Sequence, residues 1–124
     1  MSTTAKARIL VVDDEDDLRM LLDHVVSSAG YHVTTAEDGQ DAILKIQNNT
    51  FDLALLDIQM PNASGIEVLK YLKKNAPTTK AIMLTGYADL KYAMEAREYG
   101  ARDFISKPYK LEDIMKTIET VLAE

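Results

Sequence analysis

The chain has 124 residues, 47% hydrophobic and 27% charged, and carries a formal net charge of −6. That length suits one domain burying about two-thirds of its unfolded surface, and no apolar run approaches the ~20 residues of a membrane span. The negative balance argues against a nucleic-acid-binding surface, the lack of cysteine excludes disulfides and thiolate metal sites, and two isolated histidines, His24 and His32, cannot build a zinc centre.

Met1 to Arg8 has no hydrophobic stretch of the kind a secretory signal needs, so a single cytoplasmic domain with an N-terminal tail over residues 1–7 is expected. Short apolar runs then alternate with helical periodicity, the pattern of βαβ units. Ile9 to Val12 predicts a first strand, which runs straight into the acids Asp13 to Asp17. Leu18, Leu22, Val25 and Ala29 fall at helical spacing, with Gly30 as C-cap. His32 to Ala36 predicts a second strand, and Ala42, Ile43 and Ile46 mark a second helix. Leu53 to Leu56 form a third strand ending at Asp57, and Pro61 breaks the chain. Ser64 as N-cap with Glu67 three residues on is a capping box, opening a helix through Ile66, Leu69 and Leu72 that Pro77 closes. Ala81 to Leu84 is a fourth strand ending at Thr85 and Gly86, followed by a helix from about Ala88 with Gly100 as C-cap. Asp103 to Ser106 is a fifth strand. Lys107 and Pro108 follow, a candidate cis peptide, and Leu111, Ile114, Met115, Ile118 and Leu122 make a last amphipathic helix. Phe104 and the methionines, taken alone, read as core.

Strands one, three and four are continuously apolar, as when helices cover both faces of a parallel sheet. The expected fold is α/β, a flavodoxin-like (βα)5 three-layer sandwich with strand order 2-1-3-4-5, and its ligands should sit beyond the carboxyl ends of the strands. There the sequence places Asp13 and Asp14 after the first strand, Asp57 after the third, Thr85 after the fourth and Lys107 after the fifth. Two carboxylates ~4 Å apart repel by about 4 kcal/mol at an effective dielectric near 20, so this trio should either hold a proton or recruit a cation. A hard divalent ion is the better remedy: magnesium, or manganese in its place, takes oxygen ligands and leaves positions for water and a phosphate oxygen. Asp57, at the tip of a buried strand, is then placed as a nucleophile toward phosphorus, forming an acyl phosphate. Lys107 offers an ammonium to a phosphoryl oxygen, Thr85 offers a hydroxyl, and Gly86 leaves the approach open. Glu15, Asp16 and Asp17 read as an ordinary helix start, where acids gain about 0.3–1 kcal/mol each from the macrodipole.

With these residues together, the chain resembles a bacterial response regulator receiver domain of two-component signalling. The motifs that carry the likeness are "ILVVDDE", "DLALLDIQMPNASGIEVL", "AIMLTGY" and "GARDFISKPYKLEDI", in order, over roughly Arg8 to Leu122. The resemblance implies Asp57 as phosphoacceptor, Asp14 as a direct Mg²⁺ ligand, Asp13 as a ligand mostly through water, and the Gln59 main-chain carbonyl as a further ligand. It makes Thr85 and Phe104 a switch pair that alters the face of helix four, strand five and helix five, where Tyr92, Glu95 and Lys110 are candidates. Gln59 and Tyr87 stand where the family tunes phosphate lifetime, and the bulk of Tyr87 is expected to slow hydrolysis. The implied partners are a sensor histidine kinase or histidine phosphotransfer protein, a downstream protein on that face, and a second copy on phosphorylation; nucleic acid and membrane are not expected. Phe at 104 and Tyr at 109 are soft departures from common family choices that leave the chemistry undisturbed.

Three rivals share features. Asp14-x-Asp16 after a strand resembles the nucleophile and acid of haloacid-dehalogenase-type phosphatases, but the chain is short, lacks a cap insertion and has no late acidic pair. A flavodoxin would need a hydroxyl- or amide-rich phosphate cradle where five acids stand. A calcium EF-hand loop from Asp13 fails because its sixth position is Leu18 rather than glycine and its twelfth is His24.

Overall fold

The computed structural model describes residues 7–58, 60, 62–86 and 90–124. The elements in chain order are β1 (Arg8–Val12), α1 (Asp16–Ser28), β2 (His32–Ala36), α2 (Gly39–Asn48), β3 (Leu53–Asp57), α3 (Gly65–Asn75), β4 (Lys80–Thr85), α4 (Leu90–Glu98), β5 (Asp103–Ser106) and α5 (Leu111–Leu122). All strands are parallel, in the order β2-β1-β3-β4-β5. The expected architecture is therefore the observed one.

Alternation along the central strands builds two cores. Leu10, Val12, Ala54, Leu56, Ala81 and Met83 point to one face and meet Ala42, Ile46, Leu69, Leu72 and Ala96 of α2, α3 and α4. Ile9, Val11, Leu53, Leu55, Ile82 and Leu84 point to the other and meet Leu22, Val26, Ile114, Ile118 and Val121 of α1 and α5. Because both faces are covered, a central strand must be apolar at every position, which is why β1, β3 and β4 read as unbroken runs. Each fully buried aliphatic side chain contributes about 1.5–3 kcal/mol, so these strands supply much of the stabilisation of both cores.

The helix ends follow the local chemistry. Ser64 Oγ accepts from the Glu67 N–H at 3.3 Å, as the capping box predicts, and Asp38 caps α2 by accepting from the Asp41 N–H at 2.8 Å. Gly30 and Gly100, just past α1 and α4, take φ values of +100° and +91°, where only glycine is unstrained. Two readings are corrected. On α1 the buried residues are Leu22 and Val26, while Val25 is half-buried: the helix presents its i, i+4 row to the sheet. Only some methionines fill core, since Met83 is buried whereas Met20 and Met94 are 68% and 76% exposed.

The turn from β3 into α3 is tight, and it carries the end of β3 that matters below. The Gly65 N–H donates to the Ile58 carbonyl at 3.0 Å, and a Cβ added at Gly65 would lie 2.2 Å from the Asp57 carbonyl oxygen. Gly65→Ala should therefore cost about 1–3 kcal/mol by overpacking against backbone that cannot move aside. Urea unfolding checks this, and an unchanged midpoint would show the contact to be loose.

Candidate functional site

Strand register assembles the site. Val12 pairs with Leu56 and Asp57 with Leu84, so the residue after β1 and the last residue of β3 emerge side by side at the carboxyl edge. Asp13 is fully buried and Asp57 is 4% exposed, while Asp14 stands exposed at the rim. One carboxylate oxygen from each of Asp13, Asp14 and Asp57 lies within 4.8 Å of the others. Lys107, just past β5, donates from Nζ to Asp57 Oδ2 at 2.9 Å and stands 3.8 Å from Asp13 Oδ2. Its own N–H donates to the Thr85 carbonyl at 2.7 Å, fixing the start of the loop to β4. The Lys107–Pro108 peptide is cis.

The electrostatics are lopsided, with three carboxylates facing one ammonium. Asp13 Oδ1 accepts from the Glu15 N–H at 2.9 Å, but its Oδ2 is buried without a hydrogen-bond partner among the described residues. An all-oxygen donor set with an unsatisfied buried carboxylate oxygen fits a hard divalent cation such as Mg²⁺, and does not fit a soft metal. Burial alone would lower the Lys107 ammonium, but its hydrogen bond to Asp57 and the charges of Asp57 and Asp13 outweigh that and leave its pKa raised. Burial first, then the charge of Asp13, pushes the Tyr109 phenol up to about 12 against the opposing charge of Lys107.

The other predicted residues fall as follows. Thr85 is buried, and its hydroxyl donates to the Ile105 carbonyl at 3.4 Å, so here it is engaged with β5. Phe104 is half-buried against the α2–α3–α4 core, with the Arg97 guanidinium 5.7 Å from its ring centre. Gly86 lines a cavity of about 390 Å³ with Leu18, Lys107, Pro108 and Tyr109. Gln59 and Tyr87 lie outside the described residues. Glu15, Asp16 and Asp17 do start α1, and Asp16 pairs with Arg19.

Two candidates for the surface of α4, β5 and α5 face elsewhere. Glu95 pairs across to Lys70 of α3 at 3.4 Å, and Tyr92 lines the same α3–α4 groove. The groove between α4 and β5 is instead lined by Ala93, Met94, Arg97, Glu98 and Phe104, and Lys110 is exposed at the start of α5. Met94, exposed in that groove, was missed as a candidate, because the weak periodicity of α4 gives little sign of which side faces out.

Comparison with known proteins points one way. A family model described as response regulator receiver domain matches residues 9–119. Regulatory protein AtoC of Escherichia coli K12 is 34% identical over 119 residues, which are 96% of this chain and 26% of that protein. DNA-binding transcriptional regulator NtrC of Salmonella typhimurium is 31% identical over 115 residues, 93% of this chain and 24% of that protein. The chain thus spans about a quarter of the length of these relatives. Among solved structures, a CheY-like response regulator receiver domain from Methanospirillum hungatei superposes with a TM-score of 0.91 at 35% identity, covering 94% of each chain. The phosphatase alternative finds no support in these matches.

The raised pKa values of Lys107 and Tyr109 fix the sign of a pH effect. Both hold protons in the folded chain that the unfolded chain gives up near ~10 to 10.4, so stability is intact below that range and falls as pH rises through the raised values, about 12 for Tyr109. Tyr109→Phe should flatten part of this alkaline slope in urea midpoints measured against pH; a slope identical to wild type would reject the assignment.

Proposed function

The chain belongs to the response regulator receiver domain family, and from that premise we propose that it accepts a phosphoryl group on Asp57 from a phosphohistidine of a sensor kinase or phosphotransfer protein. Such a domain is a signalling module. The observation that carries the assignment to Asp57 is its position: a buried carboxylate at a strand tip, flanked by two further acids and held by Lys107.

A carboxylate oxygen of Asp57 attacks phosphorus, the P–N bond to the donor imidazole breaks, and a mixed anhydride forms while the imidazole leaves with a proton. Phosphoryl transfer passes through a loose transition state, so catalysis is mostly positioning and charge neutralisation. Asp13, Asp14 and Asp57, with the Gln59 carbonyl, would hold Mg²⁺, which when bound neutralises charge on the transferred group. The chain's own groups do the rest. The rigid end of β3 fixes the Asp57 carboxylate in place. Lys107, already 2.9 Å from Asp57, needs only a small shift to meet a phosphoryl oxygen, and its ammonium stays charged at neutral pH. The Thr85 hydroxyl can exchange the Ile105 carbonyl for another phosphoryl oxygen, with Gly86 leaving room for both. The same pocket would admit the water that returns the chain to its starting state, at a rate set in part by Gln59 and Tyr87. The bound phosphoryl group then shifts the population toward the conformer with Thr85 and Lys107 drawn inward, and a partner or a second copy reads the altered surface of α4, β5 and α5.

A cytoplasmic setting and a downstream regulatory partner follow the same reading. NtrC is named as DNA-binding, but for this chain, whose charge is −6, the reading includes no direct nucleic-acid contact.

Intact mass after incubation with Mg²⁺ and a small acyl phosphate tests this. Wild type should gain one phosphoryl group and Asp57→Asn none; uptake by Asp57→Asn would assign the phosphoacceptor elsewhere. Lys107→Ala should retain Mg²⁺ binding and lose most of the chemical-shift response to phosphorylation. Equal loss of both would overturn the role given to that lysine.

A further inference from the structure

The turn from β1 into α1 carries two of the three acids, and one side chain ties it together. Arg19, near the start of α1, folds back along the helix: one guanidinium nitrogen donates to the Asp13 main-chain carbonyl at 2.9 Å, and the other holds the Asp16 carboxylate. The Arg19 side chain is only 15% exposed while that of Asp16 is 77% exposed, so an ion pair at the surface does not by itself account for a covered arginine. The contact that reaches inward is the one to Asp13. That residue is fixed on other sides as well, since its N–H donates to the Ala36 carbonyl at 3.3 Å and its Oδ1 accepts from the Glu15 N–H at 2.9 Å. Asp14 stands exposed, so its direction depends on the backbone that precedes it. The Asp13 carbonyl and the Asp14 N–H and Cα share one planar peptide unit, and a donor that fixes the carbonyl therefore fixes the direction in which Asp14 leaves the strand.

We infer that Arg19 is a positioning residue for the cation site, holding the Asp13–Asp14 peptide plane so that the exposed Asp14 carboxylate is presented beside those of Asp13 and Asp57. The inference rests on the reading of the acid trio as a cation site. Arg19 acts through the backbone of Asp13 and does not itself enter the chemistry. Its charge and its hydrogen bond pull in opposite directions: a guanidinium close to the acids opposes an entering dication, whereas a ligand set ordered beforehand favours it. Partners that orient metal ligands typically govern affinity by about 10- to 100-fold, so the ordering wins.

Calorimetric titration of the whole chain with Mg²⁺ alone compares wild type with Arg19→Gln. The Gln variant should bind about tenfold more weakly, although it removes a positive charge. The residual dipolar coupling of the Asp14 N–H, which reports the orientation of that peptide plane in the metal-free protein, should change, while the couplings of β1 and β3 stay as in wild type. Equal or tighter binding by Arg19→Gln, an unchanged Asp14 coupling, or couplings altered throughout β1 and β3 would each overturn the inference. If Arg19→Gln does not fold, Arg19→Lys, which keeps the charge and loses the fork that spans Asp13 and Asp16, is read by the same criteria. Wild type that takes up no Mg²⁺ would sink the cation reading and this inference together, whereas equal affinity sinks this inference alone.

Discussion

Three carboxylates meet one ammonium at the edge of a parallel sheet, and the remainder of the fold exists in a form that can hold them there. At separations under 4.8 Å each pair of acids repels by about 3–4 kcal/mol for an effective dielectric near 20. Lys107 offsets part of this, most strongly at Asp57 and more weakly at Asp13. The imbalance is tolerated because the acids do not hold the strands together. Leu53 to Leu56 and Ile9 to Val12 are buried on both faces of the sheet, and their packing outweighs the repulsion at their tips. A site left short of positive charge responds strongly to any charge that enters it.

The route outward from that site is short and covalently simple. Thr85 and Lys107 follow adjacent parallel strands whose backbones are tied by the Lys107 N–H to the Thr85 carbonyl. The Thr85 hydroxyl rests on the carbonyl of Ile105, the neighbour of Phe104. Under the proposed function, drawing that hydroxyl toward the site releases a backbone acceptor beside a ring that is half-buried and lines the α4–β5 groove with Met94 and Arg97. In that reading, charge at one edge of the sheet would be coupled to shape on a face that it does not touch. β5 suits this role because it is an edge strand with one buried residue, Ile105, whereas β3 is buried at every position.

The fold was legible because its signals are local. A strand covered on both faces must be apolar throughout, and an amphipathic helix between two such strands leaves few other topologies. The convergence of Asp13, Asp57 and Lys107 was legible for the same reason, since each stands at or just past the carboxyl end of a strand. What escaped depends on helix tilt and side-chain direction. Val26 rather than Val25 faces the sheet, and Glu95 reaches α3 rather than the open face of α4, because helical spacing gives the period of a stripe and leaves its phase to tertiary packing.

The three acids are not equivalent, and the difference decides which chemistry the site suits. A phosphatase of the haloacid-dehalogenase type would use Asp14 as nucleophile. Yet Asp14 is exposed, and among the described residues nothing pairs with its carboxylate. An exposed carboxylate can rotate freely and keeps its hydration shell, so it meets phosphorus without fixed geometry and without a neighbouring cation to stabilise the incoming charge. Asp57 has the opposite surroundings: a rigid strand behind it, a lysine in contact, and a buried acid beside it. Asp14 is better suited to the rim, where a partly hydrated ion can be gripped from the solvent side and released again. Depth alone does not rank the acids, since Asp13 is buried at least as fully as Asp57; under the proposed function it is burial joined to the Lys107 hydrogen bond that would set apart the group receiving phosphorus.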